Sequence, residues 1–348
     1  MPSIPKNDGK IILAPHVVIL GAGASKAAFP EGEANGLQLP LMQDFIDIVG
    51  LTDLLKKDGI DANNKNFENI YDDLFSEDIH KRTIKKIEEK VYNYFSLMKL
   101  PESLTIYDYL VLSLRETDMI ATFNWDPFLA QAYNRNKHVG NMPQIAFLHG
   151  NVGIGLCERD KGIGFIDQLC IKCNSPLQPT KLLYPIKHKD YENDIFIKDQ
   201  WNRLRQSLNF AYYITIFGYS APTTDVEAKQ LMIEVWNENP TKEFAEIEIV
   251  DIKHQKELIE SWNDFIVRHH YATNKDIFFS YLFTHPRRSC DAFFSSTLQN
   301  EPWKDNPYPK FDTLDELHRW IQPLILEERK YQYLGEKFSR KPCPSLKP

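Results

Sequence analysis

The stretch that decides the fold is 16-HVVILGAGASKAA-28, an apolar run followed by two closely spaced glycines and a helical pattern. The run His16–Leu20 has strand length and does not alternate with polar residues, as expected for a strand buried on both faces. Gly21 permits a tight turn, and Gly23 lets backbone approach a pyrophosphate at a helix N-terminus. An ordinary strand–helix turn remains an alternative, because Lys26 stands where a dinucleotide fingerprint has a third glycine.

Four further apolar runs of strand length follow, and segments with helical periodicity separate them. This alternation is typical of a parallel sheet with crossover helices. We therefore predict an α/β protein with a Rossmann-like parallel sheet, a helical insertion and C-terminal helices. The later strands are predicted at Met119–Phe123, Ile145–Leu148, Tyr212–Phe217 and Ile247–Val250.

The spacing of these strands predicts the domain organisation. One domain is expected over residues 11–252, with a helical insertion at about 37–114 and a cysteine-containing loop at about 151–199. Residues 253–348 are expected to form a helical extension that ends in the basic, Pro-rich tail Gly335–Pro348. The helices predicted in the insertion and the extension are Leu37–Val49, Phe67–Leu74, Ser76–Leu97, His254–His270, Ser289–Leu298 and Thr313–Tyr331.

Composition excludes several classes of protein. The chain has 348 residues, of which 43% are hydrophobic and 26% charged, so it can bury a core. A net charge of −7 argues against direct nucleic-acid binding, which needs a basic surface. No apolar run is long enough to span a membrane, and the polar N-terminus predicts no signal peptide. Five cysteines do not suggest a disulfide framework. We expect a cytoplasmic protein.

Polar residues follow the other predicted strands where each one ends. Asn124 and Asp126 lie in the segment TFNWD, at the sheet edge where open α/β proteins bind ligands. The alternative is that Asp126 only caps a helix beginning at Pro127. His149 ends the third strand and suits proton transfer near neutral pH, although a hydrogen-bonded structural histidine is the common alternative.

The segment FGYSAP, which contains Gly218 and Ser220, ends the fourth strand. These two small residues could admit a phosphate or a ribose at the sheet edge. The alternative is a plain Gly-Pro turn in which Thr224 or Asp225 caps the next helix.

The four motifs GAGAS, TFNWD, LHG and GYS, in this order between Val17 and Ile252, resemble the sirtuin fold and in particular its divergent bacterial sirtuin-like branch. The family's corresponding segments are GAGxS, TQNxD, HG and GxS. The resemblance implies that NAD is bound along this edge, with Asn124 positioning the nicotinamide ribose, Asp126 near the carboxamide and His149 acting as base. The residues that it implies in NAD contact are Gly21, Ala22, Gly23, Ser25, Thr122, Asn124, Gly218, Ser220 and Asp251.

The departures from the family pattern concern the peptide-handling segments. Phe123 replaces the family's glutamine, and Phe29–Glu33 stands where protein deacylases have GIPDFR. Leu182–Pro185 occupies the region of the FGE element that pairs with an acyl-lysine peptide. Because NAD-handling residues are kept and peptide-handling ones are lost, this pattern favours NAD cleavage without a protein substrate.

The resemblance therefore implies an NAD glycohydrolase that acts in antiphage defence by NAD depletion. Such activity needs control, so we expect a homo-oligomer and regulation by a partner, such as a HerA-type ATPase or a phage-derived activator. Two alternatives stay open, namely an NAD-dependent protein deacylase and a non-catalytic module that senses NAD or ADP-ribose.

Three cysteines raise the question of a structural zinc. Cys170 and Cys173 form a CxxC pair, and Cys157 precedes them by thirteen positions. A structural zinc needs four ligands, and Asp160 or His188 are the candidates for the fourth. Since the family's site uses four cysteines, we expect no zinc.

Overall fold

The computed structural model describes residues 14–62, 66–77, 80–186, 189, 191–220 and 225–334. The strands in these ranges are β1 His16–Leu20, β2 Met119–Thr122, β3 Gln144–Phe147, β4 Ile154–Leu156, β5 Ile163–Phe165, β6 Gln178–Pro179, β7 Tyr213–Phe217, β8 Glu246–Val250 and β9 Tyr271–Asn274. The helices are α1 Ala22–Ala28, α2 Phe45–Ile48, α3 Thr52–Lys57, α4 Phe67–Ser76, α5 Lys81–Ser96, α6 Ile106–Leu112, α7 Phe128–Asn136, α8 Ile195–Leu208, α9 Val226–Glu238, α10 Gln255–Trp262, α11 Tyr281–Thr284, α12 Ser289–Leu298 and α13 Leu314–Leu334.

Six strands form one parallel sheet in the order β3-β2-β1-β7-β8-β9. The chain first adds strands on one side of β1 and then returns to add the others on the opposite side, so the direction reverses between β1 and β7. Leu20, which ends β1, pairs with Thr122 and with Phe217, so the carboxyl ends of three strands lie level. Such a reversal opens the crevice in which open α/β sheets bind ligands. The predicted parallel α/β sheet is confirmed.

The central strands β1 and β7 are buried along their whole length, which explains their largely apolar sequences. In β1, Val17–Leu20 are all inaccessible to solvent. Burial of each such aliphatic side chain contributes about 1.5–3 kcal/mol. A charged residue at Val18 would therefore break the strand that carries the first glycine loop.

The insertion between β1 and β2 is helical, but its first predicted helix is wrong over most of its length. Leu37–Val49 was expected to be one helix, whereas the structure has only α2 at its end. Pro40 explains the difference, because proline lacks an N–H and disfavours helical backbone in the residue before it. The later helix α5 begins at Lys81 instead of Ser76, and it buries Thr83, Ile87, Val91 and Phe95 at a spacing of four residues.

The segment of residues 151–199 is not only a loop, and that prediction is wrong in part. It contains a small antiparallel sheet in the order β5-β4-β6, and α8 already begins at Ile195. The three strands have two or three residues each, too few for an alternating pattern to be visible in the sequence.

The sheet continues beyond residue 252, since β9 pairs in parallel with β8. This strand was not predicted, and α10 ends at Trp262 where a helix had been expected to run to His270, because the chain turns back there to enter β9. Helix α12 has the predicted bounds Ser289–Leu298. None of the helices in the described ranges has both the length and the apolar character that a membrane span requires. The tail Gly335–Pro348 lies outside the described residues.

Candidate functional site

Two glycine-containing loops meet backbone to backbone at the carboxyl ends of β1 and β7. The N–H of Gly23 donates to the carbonyl oxygen of Gly218 at 2.9 Å, and the N–H of Gly21 donates to that of Phe217 at 3.1 Å. Gly218 has φ +61°, and a Cβ there would lie 2.2 Å from the backbone nitrogen of Ala24. A Cβ at Gly21 would lie 2.6 Å from the carbonyl oxygen of Gly218. The glycines are therefore required for contact between the two loops.

Ser25 lies in α1 at the centre of a buried hydrogen-bond network. Its hydroxyl donates to Oδ2 of Asp126 at 2.6 Å and accepts from Nδ2 of Asn124 at 2.9 Å. The hydroxyl of Tyr107 lies 2.6 Å from Oγ of Ser25. Because Ser25 has one hydroxyl proton and gives it to Asp126, Tyr107 is the donor in that bond. Nδ2 of Asn124 also donates to the carbonyl oxygen of Gly21 at 2.9 Å, so the structure brings two separately predicted motifs into one network.

The turn that carries Asn124 and Asp126 is held from both sides. Thr122 Oγ1 accepts from the N–H of Asn124 at 3.0 Å, and Nδ2 of Asn151 donates to the carbonyl oxygen of Asp126 at 2.6 Å. Asn151 was not predicted, because its partners lie about 25 residues away and no local pattern marks it. Burial raises the pKa of Asp126 to about 6, against the opposing hydrogen bonds from Ser25 and the backbone.

His149 follows β3 and is enclosed by aromatic rings. The edge of its ring meets Phe123 at a centroid distance of 4.8 Å, and Nε2 lies 3.4 Å from the hydroxyl of Tyr191. Burial lowers the pKa of His149 to about 4, while the nearby Asp225 raises it and Lys189 lowers it further. The imidazole is therefore neutral near pH 7, which is the form that can accept a proton.

The predicted site residues divide into an accessible set and a buried set. Ala22 and Ser220 are exposed, and Gly23, Gly218 and Asp251 are partly exposed. Oδ1 of Asp251 accepts from the N–H of Lys253 at 2.9 Å and so stabilises the turn after β8. A ligand along this edge would have one end at the surface and the other against the buried set of residues. The buried members are Gly21, Ser25, Thr122, Asn124, Asp126 and His149.

The helical insertion covers the buried set through Trp125. Its indole ring packs edge to face on Phe45 and Phe95, at centroid distances of 6.0 and 5.9 Å, and against Tyr184 at 5.0 Å. Its buried indole N–H has no acceptor among the described residues. Since Trp125 lies between Asn124 and Asp126 in the chain, movement of the insertion would displace both side chains.

A second cluster, formed by Cys157, Asp160, Cys170 and Cys173, lies in the loops that connect the strands of the small antiparallel sheet. One ligand atom from each of these residues lies within 4.8 Å of those of the others. Sγ of Cys157 is 3.5 Å from that of Cys173, and Oδ2 of Asp160 is 3.7 Å from Sγ of Cys170. Tetrahedral zinc with Zn–S bonds of about 2.3 Å needs ligand separations of about 3.8 Å, so the four groups fit such an ion.

The cluster is built from two loops with the same backbone pattern. In the first loop, the N–H of Cys157 donates to the carbonyl oxygen of Gly162, and the N–H of Lys161 donates to that of Cys157. In the second loop, the N–H of Cys170 donates to the carbonyl oxygen of Ser175, and the N–H of Asn174 donates to that of Cys170. Lys161 and Asn174 both have left-handed backbone, with φ values of 55° and 59°. The expectation of no zinc rested on a missing fourth cysteine, and the structure brings Asp160 to the three thiols as a fourth group that could bind the ion. His188 lies outside the described residues.

Comparison with models of known protein families finds no match, and no curated protein sequence matches the chain. The chain is similar to the crystal structure of a Sir2 homologue in complex with NAD, at 14% identity and a TM-score of 0.40, over 82% of this chain and 90% of that one. It is also similar to a structure described as the structural basis of sirtuin substrate affinity, at 18% identity and a TM-score of 0.39, over 76% and 89% of the two chains. Values of this size do not establish a family.

Proposed function

We propose that the protein is an NAD glycohydrolase, which cleaves NAD+ with water to nicotinamide and ADP-ribose. The observation that carries the proposal is the Ser25–Asn124–Asp126 network, in which side chains from α1 and from the turn after β2 converge beside the strand reversal. The resemblance of the four motifs to the NAD-binding segments of sirtuins supports NAD as the substrate, with the phosphates at Gly21, Ala22 and Ser25 and the adenosine end toward Ser220 and Asp251.

Each buried side chain has a role that follows from its partners. Because Nδ2 of Asn124 is held by Gly21 and Ser25, its Oδ1 is the atom that would accept a hydrogen bond from the nicotinamide ribose. Asp126, with a pKa of about 6, is mostly ionised at pH 7 and would stabilise the cationic, oxocarbenium-like sugar. His149, neutral at this pH, would take a proton from a ribose hydroxyl or from water.

The burial of the proposed catalytic side chains supports the proposal that activity is controlled. Asn124, Asp126 and His149 are all at most 8% exposed, so the reactive end of NAD can enter only when side chains around them separate. The helical insertion, through Trp125, is the element whose displacement would open this space, and the C-terminal helices are a second surface that a regulator could bind. We therefore propose a homo-oligomer whose activity changes when a HerA-type ATPase or a phage component binds, and a role in antiphage defence by NAD depletion.

Two alternatives predict different reactions. An NAD-dependent deacylase would consume NAD only with an acyl-lysine peptide. In the region where deacylases pair with that peptide, Leu182 and Leu183 are buried, and the N–H of Leu183 donates to the carbonyl oxygen of His149 at 2.9 Å. A module that only senses NAD or ADP-ribose would not need Asn124 and His149 together at one edge. Both observations favour hydrolysis.

The experiment is to incubate the pure protein with NAD, with and without the product of the neighbouring gene, and to measure nicotinamide release. Asn124→Ala and His149→Ala should each lower the rate at least ~100-fold, the lower end for a positioned acid or base group. Circular dichroism should show that both variants are folded. Full activity in either folded variant would contradict the mechanism.

A further inference from the structure

Asp225, at the start of α9, joins three polar side chains from separate parts of the chain. Its Oδ1 lies 2.5 Å from Nζ of Lys189, and its Oδ2 accepts from the hydroxyl of Tyr219 at 3.0 Å. The same Oδ1 lies 4.0 Å from Nε2 of His149. Lys189 and Asp225 are both buried, at 7% exposure each, so this is an ion pair removed from water.

The groups that face His149 define its electrostatic environment. Among the described residues, Asp225 and Lys189 are the charged groups that act on His149, and the Tyr191 hydroxyl contacts its ring, with Tyr219 held on the far oxygen of Asp225. Glu227 accepts from the backbone N–H of Lys189 at 3.0 Å and so fixes the lysine from behind. Asp225 raises the pKa of the imidazole and Lys189 lowers it, and the effect of the carboxylate is the larger of the two.

The distance between Asp225 and His149 has a chemical consequence. At 4.0 Å the pair is a charge contact and is too long for a hydrogen bond. Hydrogen bonds to catalytic groups are often long before the substrate binds and tighten in the complex. An imidazolium beside an ionised carboxylate in a dry pocket is stabilised strongly, because solvent screens the interaction little.

We propose that Asp225, clamped by Lys189 and Tyr219, is a positioning residue that orients the imidazole of His149 and stabilises its protonated form. In the step concerned, the O–H bond of water breaks and its proton forms an N–H bond on the imidazole, which becomes a cation beside Asp225. The oxygen uses the freed electron pair to bond to C1′ of the ribose, and nicotinamide leaves with the electron pair of the C1′–N bond. The source of that proton rests on the proposed function. The clamp itself does not.

The test is the pKa of His149, measured by NMR of labelled histidine in the full-length protein, with His149→Gln used to assign the signal. Asp225→Asn should lower this pKa by about one pH unit or more, and Lys189→Met should raise it by a similar amount, because a charge within 4–6 Å shifts a pKa by that order. Lys229→Met is the matched control, since it removes a lysine from the Asp264 pair on the outer part of α9 and should leave the pKa unchanged. No shift, or shifts in the same direction, would overturn the proposal.

A second measurement separates positioning from folding and from the proposed reaction. In Asp225→Asn, kcat for NAD cleavage should fall about 10-fold with little change in KM, because an interaction specific to the protonated ring is lost. The double variant Asp225→Asn/Lys189→Met removes both charges and should unfold at a higher temperature than either single variant. If kcat recovers with stability in the double variant, the pair serves only folding. If the pKa shifts appear but the wild type does not cleave NAD, the proposed function fails and the clamp stands.

Discussion

The contact between the two glycine loops is tested by Gly218→Ala. A Cβ at this position would lie 2.2 Å from the backbone nitrogen of Ala24 and 2.4 Å from the carbonyl carbon of Gly23, whereas ordinary contacts begin at 3.4 Å. The loops must therefore separate by more than about 1 Å. Left-handed backbone costs alanine about 1–2 kcal/mol, a lost loop hydrogen bond about 1, and forced repacking about 1–3. We expect the free energy of unfolding to fall by about 3–6 kcal/mol.

Gly36→Ala is the matched control for this variant. Gly36 has φ +81°, but a Cβ there would meet no atom within 4 Å, so the substitution carries the backbone cost without the collision. It should lower the free energy of unfolding by only about 1–2 kcal/mol. Urea unfolding followed by tryptophan fluorescence compares the two variants directly. Equal destabilisation by Gly218→Ala and Gly36→Ala would refute the inference that these loops are in backbone contact.

Three further outcomes concern Asp126, the cysteine cluster and the C-terminal tail. The folded protein keeps a proton on Asp126 up to about pH 6, whereas the unfolded chain loses it near pH 4, so this group's contribution to stability is present below pH 4 and is lost as the pH rises to 6. In urea titrations at several pH values, Asp126→Asn should remove roughly 3 kcal/mol of this change in the free energy of unfolding. An unchanged pH dependence would show that Asp126 titrates normally. We expect about one zinc per chain by elemental analysis, reduced in Asp160→Ala, and a lower unfolding temperature with a chelator; metal-free native protein would contradict this. Deleting Gly335–Pro348 should change assembly or the response to a partner while NAD affinity stays nearly constant, which light scattering and calorimetry measure; an unchanged assembly and response would contradict it.

The sequence predicts the sheet and its carboxyl edge well because the relevant signals are local. Most of the five predicted strands are largely apolar runs, and the polar residues that follow the strands meet at one edge in a parallel sheet. The sixth strand, β9, escaped prediction because Tyr271–Asn274 is short, partly exposed and half polar. Pro40 prevents helical backbone in the first part of Leu37–Val49 despite its helical periodicity, which explains why the predicted bounds there are wrong.

Within the site, prediction failed where contacts join distant parts of the chain. Lys189 and Asp225 are 36 positions apart, and nothing near either residue indicates that they form a buried pair. Tyr107 and Asn151 support Ser25 and the Asn124–Asp126 turn through bonds that only the folded chain creates. Asp160 is the converse case, since it was named as a fourth ligand candidate but its convergence with three thiols depends on two loops folding alike.

The most direct test of the central proposal is the fate of NAD in the absence of any peptide. Purified protein, activated by its partner if it requires one, is incubated with NAD, and nicotinamide and ADP-ribose are quantified by liquid chromatography with mass detection. Parallel samples contain an acetyl-lysine peptide or the Asn124→Ala variant. We expect equimolar nicotinamide and ADP-ribose without peptide, no mass change in the peptide, and loss of at least ~100-fold of the rate in the variant. NAD consumption that occurs only with the peptide, with a matching loss of its acetyl mass, would contradict the account.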